Sequence, residues 1–210
     1  MLTFLGYTLV FLSLLVTLFL IFRPDYGPRP VLGMGAMGMQ SSPFLLLAMA
    51  FLFEARSLDL VSSYVGEGLP LFYRISAVWG SRSGPLLMWA SMMSVIAWLM
   101  SRDRTTDNVT IRIIHLCTFL LTLISAGLRP FSPAIPGTAG EISPLLQTDL
   151  MVIPPPVVFL YYSLCLATAS IAVAGLVSSK SSRETHASMI PWARYSFLAG
   201  TIGIGLGGLW

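Results

Sequence analysis

Long uncharged stretches of apolar residues alternate along this chain with short stretches that contain its charged residues. A helix that crosses a bilayer needs about 20 consecutive apolar residues, and six stretches approach that length. They predict transmembrane helices at about 3–23, 34–54, 84–101, 109–128, 154–178 and 191–210. The pattern therefore predicts an all-α membrane protein that forms a single membrane domain over residues 1–210.

The composition agrees with this prediction. The chain has 210 residues, of which 55% are hydrophobic and 10% are charged, and its mean hydropathy is +0.80. Soluble domains carry about 25% charged residues, so a soluble globular domain is excluded. The first apolar stretch lacks the basic start and the small-residue cleavage site of a signal peptide, and we therefore predict that it is a membrane span.

The distribution of lysine and arginine predicts the orientation in the membrane. In membrane proteins, lysine and arginine are more frequent in the loops on the inner side. The formal net charge of this chain is +3, and we interpret it as such an orientation signal. It gives no reason to propose nucleic acid as a partner. With six spans, both termini are predicted on the outer face, periplasmic or in the intermembrane space. Of the 12 basic residues, eight then lie inside and four outside. The inner group is Arg23, Arg29, Arg102, Arg104, Arg112, Lys180, Arg183 and Arg194, and the outer group is Arg56, Arg74, Arg82 and Arg129.

Two predicted outer loops, 55–83 and 129–153, are much longer than the connections of about 2–8 residues that join most packed helices. The first loop and the helix after it contain "PLFYRISAVWGSRSGPLLMW" (70–89), with two tryptophans and two arginines. The second loop contains several prolines and glycines, which exclude a long helix there. The outer face is therefore the more informative side of the predicted protein.

The residues that most often carry chemistry form no complete catalytic set in this sequence. Cys117 and Cys165 belong to no CxxC motif, which is typical of small buried hydrophobic residues rather than of a redox or zinc site. His186 lies in a polar inner segment and is predicted to be solvated. His115 falls near the inner end of the fourth span, where an ionisable residue is a functional candidate, although a structural role is favoured. By itself the chain is not predicted to be a self-sufficient enzyme.

The last predicted span contains a glycine pair and ends in an aromatic residue. Gly203 and Gly207 are four residues apart, so they share one helix face and would allow another helix to approach closely. Trp210 follows a double glycine and is suited to anchor the helix at the membrane interface.

Three blocks of the sequence resemble the CcmF/NrfE-type cytochrome c haem lyases of the cytochrome c maturation system. They are "SLDLVSSYVGEGLPLFYRISAVWGSRSGPLLMW" (57–89), "ISPLLQTDLMVIPPPVVFLYY" (142–162) and "WARYSFLAGTIGIGLGGLW" (192–210). The blocks follow the order of the family and cover most of the chain. The resemblance implies six helices before a tryptophan-rich domain on the outer face, and it implies that this chain is the N-terminal fragment of a split protein.

The resemblance also implies a haem-handling role for particular residues. Tyr73 and Trp79 would offer flat surfaces for haem, and Arg74 or Arg82 would pair with a propionate. The alternative is that these residues anchor a re-entrant loop at the membrane interface. The positions carried over for cofactor binding are Tyr73, Arg74, Trp79, Gly80, Trp89, Gln147, Pro155 and Pro156, and Gly84 and Leu146 also match the motifs.

The sequence departs from the family at the position implied to bind haem iron. The family has a histidine before its paired prolines, whereas this chain has Pro154, which cannot be an axial ligand. An acidic position of the family corresponds to Ser83, and a serine corresponds to Pro85. No metal ligand is therefore carried over to this chain.

Three hypotheses follow from these observations. The first is a haem lyase component that acts only with a partner chain bearing the tryptophan-rich domain, with haem as cofactor and apocytochrome c as the protein substrate. The second is a repurposed structural subunit of a mitochondrial respiratory complex, and the third is a small transporter or channel subunit. The predicted location is the mitochondrial inner membrane, with the bacterial inner membrane as the alternative.

Overall fold

The computed structural model describes residues 1–24, 30–66, 68–103, 106–135, 137, 140 and 152–208, and these residues form helices without any β-strand. The predicted all-α class is confirmed. Gln147, Leu146, Trp210 and much of the predicted loop 129–153 lie outside the described residues. The helices are α1 (Leu2–Phe22), α2 (Pro30–Leu52), α3 (Asp59–Tyr64), α4 (Leu71–Gly80), α5 (Ser83–Ser101), α6 (Asn108–Gly127), α7 (Pro154–Val177) and α8 (Ser182–Gly208).

Five of these helices are long and apolar enough to cross a membrane, namely α1, α2, α5, α6 and α7. These helices support the prediction of a multi-pass membrane protein. The helix at the sixth predicted span has different limits from those predicted. Helix α8 begins at Ser182 rather than near residue 191 and continues through Pro191. The predicted segment up to Gly208 therefore forms the second part of a longer helix.

The two segments predicted as long outer loops meet at the same end of the helical bundle. The backbone N–H of Asp59 donates to the carbonyl of Ser132 at 2.9 Å, and the N–H of Ala134 donates to the carbonyl of Ser57 at 2.9 Å. We call this end, which also holds the first turn of α1, the long-loop end. The segment 55–83, predicted as a long loop between two spans, contains the two short helices α3 and α4.

Small and polar side chains face the neighbouring helices, while large apolar side chains lie on the surface. In α1 the buried positions include Gly6, Ser13 and Thr17, whereas Phe11 and Phe19 are each 61% exposed. Membrane helices associate through close packing of small residues, because lipid gives no hydrophobic gain for burying large ones. The surface of the bundle is therefore suited to contact lipid.

The buried apolar residues form two clusters. The first lies at the long-loop end and joins α1, α2, α3, α4 and the start of α5, with Phe51 and Phe131 fully buried in it. The second joins α5, α6, α7 and α8, and Met93 and Ile114 are fully buried there. Helices α7 and α8 form a hairpin that packs on α5 and α6.

Glycines bring α7 and α8 together, although not as the sequence indicated. A Cβ at Gly200 would lie 2.9 Å from the ring of Tyr161, and one at Gly203 would lie 3.3 Å from Val158. Gly207 has open space around its Cβ position. Gly203 therefore contacts the neighbouring helix as expected, while Gly200, rather than Gly207, is its partner on the contact face.

His115 lies in a buried polar cluster between α1, α2 and α6. Its Nδ1 is 3.2 Å from Nε2 of Gln40, which also donates to Oγ1 of Thr17 at 2.9 Å. The histidine side chain has no exposed surface. Because a polar group in the membrane interior needs a partner, the contact between His115 and Gln40 favours an arrangement in which these faces of α2 and α6 point toward each other.

We expect the contact between His115 and Gln40 to stabilise the bundle by about 1 kcal/mol, the size of typical side-chain hydrogen bonds between membrane helices. A double-mutant cycle would measure this contribution by comparing the free energy of unfolding in mixed micelles for the wild type, His115→Leu, Gln40→Leu and the double variant. If the effects of the two substitutions are additive, the side chains do not interact energetically.

Candidate functional site

The residues implied to handle haem lie largely at the corner where α4 meets α5. The corner is built by Ser81, whose Oγ donates to the carbonyl of Val78 at 2.9 Å and accepts from the N–H of Gly84 at 3.0 Å. A Cβ at Gly84 would collide with the Val78 carbonyl, so only glycine permits this tight turn. The turn fixes the direction of α4, and thereby the positions of Tyr73, Trp79 and their neighbours.

Trp79 packs inward from α4 against α2. Its ring stacks on Phe44 with centroids 6.3 Å apart and planes inclined by 18°. Tyr73 packs against the same apolar cluster, and both side chains are half-buried. These two aromatic residues therefore help to attach α4 to the bundle, in addition to presenting their remaining surface at the long-loop end.

Arg74 already has a carboxylate partner within the chain. Its guanidinium lies 2.7 Å from Oε1 of Glu54, and its Nε donates to the carbonyl of Leu69 at 2.7 Å. Glu54 also lies 3.5 Å from Arg56. Arg82 is exposed and forms no ion pair with the described residues, which makes it the more available of the two arginines suggested by the sequence.

We expect the pair of Glu54 and Arg74 to stabilise the long-loop end by about 1 kcal/mol, near the upper end for partly exposed pairs. The short distance and the second hydrogen bond of Arg74 favour this value. A double-mutant cycle with Glu54→Gln and Arg74→Met would measure the coupling. The matched cycle with Arg56→Met should give a smaller coupling, because that pair is longer and Arg56 is 42% exposed. Equal couplings would contradict the prediction.

Trp89 and the paired prolines lie in a different apolar environment from Trp79. The Trp89 ring is 5.8 Å from Phe159 and 5.7 Å from Tyr162 on α7, measured between centroids. Pro154 is the first residue of α7, followed by Pro155 and Pro156. Three prolines supply no N–H groups, so this helix start has few donors for an anion.

The predicted site residues therefore form two groups at the long-loop end. Tyr73, Arg74, Trp79 and Gly80 belong to α4 and pack toward α2, whereas Trp89 packs with α7, whose first turn contains Pro155 and Pro156. Gln147 lies outside the described residues. The sequence did not indicate Phe44 or Phe159, because no local pattern reveals a ring contact between helices far apart in the chain.

Three buried donors at this corner have no hydrogen-bond partner among the described residues. They are Nε1 of Trp79, Oγ of Ser83 and Nε1 of Trp89. A buried donor without an acceptor costs about 1–3 kcal/mol. The three donors lie close together in the sequence, although Trp79 packs toward α2 and Trp89 packs toward α7.

Comparison with known proteins identifies the family. The family described as cytochrome C assembly protein matches residues 79–210, which is more than half of the chain. The chain belongs to the cytochrome c assembly protein family. The match begins at Trp79, so it includes the α4–α5 corner, α7 and the described part of α8.

Bacterial members of this family are similar to the chain over most of its length. It is 27% identical over 178 residues to the cytochrome c-type biogenesis protein CcmF of Escherichia coli, covering 80% of this chain and 27% of the relative. It is 28% identical over 175 residues to NrfE of Haemophilus influenzae, covering 79% of this chain and 27% of that protein. The chain thus spans about a quarter of the length of these relatives. No solved structure matches the chain significantly.

This member of the family has no histidine at the long-loop end that could bind haem iron. Its sequence has two histidines. His115 lies among α1, α2 and α6 in contact with Gln40, and His186 lies near the start of α8 at the opposite end of the bundle. Position 154 is proline at the first residue of α7. The described residues also contain no cluster of three metal-binding side chains. The described residues at the long-loop end thus offer aromatic rings and unpaired donors but no histidine.

Proposed function

We propose that this chain is the N-terminal part of a cytochrome c haem lyase and helps to position haem and apocytochrome c on the outer face for thioether attachment. The remaining parts of the lyase, including a tryptophan-rich domain, would be supplied by a partner chain. Membership of the family supports a role in cytochrome c maturation. The observation that carries the more detailed proposal is the group of unsatisfied donors at the α4–α5 corner, in the motif that resembles the lyases.

The proposed role of the corner is to hold a group rich in acceptor atoms without ligating iron. The indole N–H groups of Trp79 and Trp89 would donate to that group, and exposed Arg82 would pair with a carboxylate such as a haem propionate. Tyr73 would contribute apolar surface. Since Pro154 cannot bind iron, we assign the axial ligands to the partner chain.

Substitution of the indoles by phenyl rings tests this proposal. The chain, with the partners that co-purify with it, would be expressed in a host that lacks its own lyase, and haem covalently bound to cytochrome c would be measured. We expect Trp79→Phe with Trp89→Phe to lower attachment about 30-fold, because two hydrogen bonds of about 1 kcal/mol each are lost.

The matched control is Trp98→Phe, near the other end of α5, where Arg102 lies 5.1 Å over the ring. This variant should leave haem attachment unchanged. Protein amount in the membrane must be equal for all variants. Normal attachment by the Trp79 and Trp89 double variant at equal amounts would contradict the proposal.

A structural subunit of a larger membrane complex is the second candidate function. The internal ion pair of Arg74 and the proline at position 154 favour it, since both remove groups that a haem site would use. Identification of the co-purifying chains distinguishes the two. A tryptophan-rich membrane protein and apocytochrome c would favour the lyase, and respiratory-complex subunits would favour the structural role.

The proposed location is an inner membrane, with the long-loop end on the periplasmic or intermembrane-space side. The excess of lysine and arginine in the opposite segments supports this orientation. The relatives named above are bacterial, and the features of the chain are compatible with a bacterial or a mitochondrial membrane. The genome that encodes the chain distinguishes these two locations.

A further inference from the structure

An open groove lies at the end of the bundle opposite the long-loop end, far from the proposed lyase corner. It has a volume of about 670 Å³ and is lined by the α5–α6 connection, the last turns of α7 and the first half of α8. Gly175 of α7 and Thr185 of α8 are in close contact beside it, so this part of the α7–α8 hairpin is well packed. The groove therefore lies beside the ends of apolar helices that are long enough to cross a membrane.

The wall of the groove combines apolar and charged side chains. Met100, Ile171 and Trp192 provide its apolar lining, whereas Asp107, Lys180 and Glu184 provide charges of both signs. Nζ of Lys180 is 3.0 Å from Oδ2 of Asp107. Such a wall fits an amphipathic molecule that itself carries both charges.

Asp107 is fixed as a charged group in this wall. It caps α6, and its Oδ1 accepts from the backbone N–H of Val109 at 2.8 Å. Burial favours the neutral carboxyl and would raise its pKa, but the hydrogen bonds from Val109 and Lys180 outweigh burial, so the pKa of Asp107 is lowered. The carboxylate is consequently ionised at neutral pH.

One largely buried residue in the same wall, Thr110, has a hydroxyl with no hydrogen-bond partner among the described residues. Thr110 is 2% exposed, lines the groove, and forms no side-chain hydrogen bond with another residue in the described ranges. Hydroxyl groups on membrane helices usually bond to a neighbouring carbonyl, as Thr118 does to Ile114 at 2.9 Å. The Thr110 hydroxyl is thus available to an acceptor inside the groove.

We propose that this groove binds the phosphoethanolamine head group of a membrane phospholipid. The phosphate would accept from Lys180 and the Thr110 hydroxyl, and the ammonium would donate to Glu184. Among the described residues that line the groove, three are carboxylates, Asp103, Asp107 and Glu184, and one is a lysine, Lys180, a balance that disfavours head groups with a net negative charge. A choline head group has no N–H to donate to a carboxylate. The apolar wall favours a lipid over a free zwitterion.

Native mass spectrometry of the protein with its co-purifying partners tests this inference. The protein would be released from bilayers containing equal amounts of phosphatidylethanolamine, phosphatidylcholine and phosphatidylglycerol. We expect phosphatidylethanolamine to be retained about 10-fold more than either other lipid, a difference of about 1.4 kcal/mol. Equal retention of the three lipids, or preference for one of the other two, would overturn the proposal.

Variants localise the binding to the groove. Ala187→Trp should abolish the preference by filling the groove, and it is tolerable because Ala187 is exposed on α8. Glu184→Gln and the nearly isosteric Thr110→Val should each lower the preference for phosphatidylethanolamine several-fold. The matched control Arg183→Gln changes a charge on the same helix at a position that does not line the groove. An unchanged preference in Ala187→Trp, or displacement of the lipid by soluble phosphoethanolamine at millimolar concentration, would show that the inference is wrong.

Discussion

Replacement of Phe131 by alanine is expected to lower the free energy of unfolding by about 3–5 kcal/mol, the usual cost of removing a buried aromatic side chain. Phe131 has no exposed surface, and its ring lies over Gly6 of α1. It also contacts Tyr7 edge-on, with centroids 6.3 Å apart. Without the ring, the segment after α6 would lose its main apolar attachment to α1.

Denaturant unfolding in mixed micelles would measure the effect of Phe131→Ala. The matched control is Phe72→Ala at the same end of the bundle, where the side chain is 70% exposed and its loss should change stability little. We also expect faster proteolysis near residue 131 in the Phe131 variant. A similar stability for both variants would mean that the segment after α6 is held by its backbone hydrogen bonds alone.

Gly84→Ala is expected to destabilise the α4–α5 corner by about 1–3 kcal/mol, the range for a side chain forced into a packed site. The added methyl would collide with the backbone carbonyl of Val78, and a backbone atom cannot move aside as the end of a flexible side chain can. The turn would have to open, which would displace Trp79 from Phe44. Haem attachment should therefore fall more than the loss of stability alone explains.

The control for Gly84→Ala is Gly35→Ala in α2, where no atom lies within 4 Å of the Cβ position. Alanine in a helix interior is favoured over glycine by about 0.5–1 kcal/mol, so this variant should be neutral or slightly more stable. Tryptophan fluorescence would report the environment of Trp79 in both. If Gly84→Ala keeps wild-type stability and fluorescence, the turn accommodates a Cβ and the steric argument fails.

The membrane spans were predictable because their signal is local. A charge at each end of an apolar stretch fixes its limits, and α5, predicted at 84–101, extends over Ser83–Ser101. The same holds for α7, predicted at 154–178 and found at Pro154–Val177, where proline suits the first helical turn. These limits follow from the cost of placing charges and unpaired backbone groups in lipid, which each segment meets independently.

The candidate site was predictable only in part. Motif resemblance selected Trp79 and Trp89, but it did not indicate that they pack in different apolar clusters. It did not reveal that Arg74 pairs with Glu54, because that contact joins residues from two elements whose distance depends on the α4–α5 turn. The start of α8, predicted near residue 191 and found at Ser182, was missed for a similar reason, since the contact of Thr185 with Gly175 joins two helices and leaves no local signal.

The sequence alone therefore determined that this is a helical membrane protein, where five of its spans lie, and which family it resembles, because hydropathy and motif order are properties of the chain itself. Only the tertiary structure decided that Gln40 meets His115, that the tryptophans divide between two clusters, and that Thr110 opens onto a charged groove. These features depend on which helix faces pack together. Packing is decided by the fit of small residues across several helices at once, which no single stretch of sequence encodes.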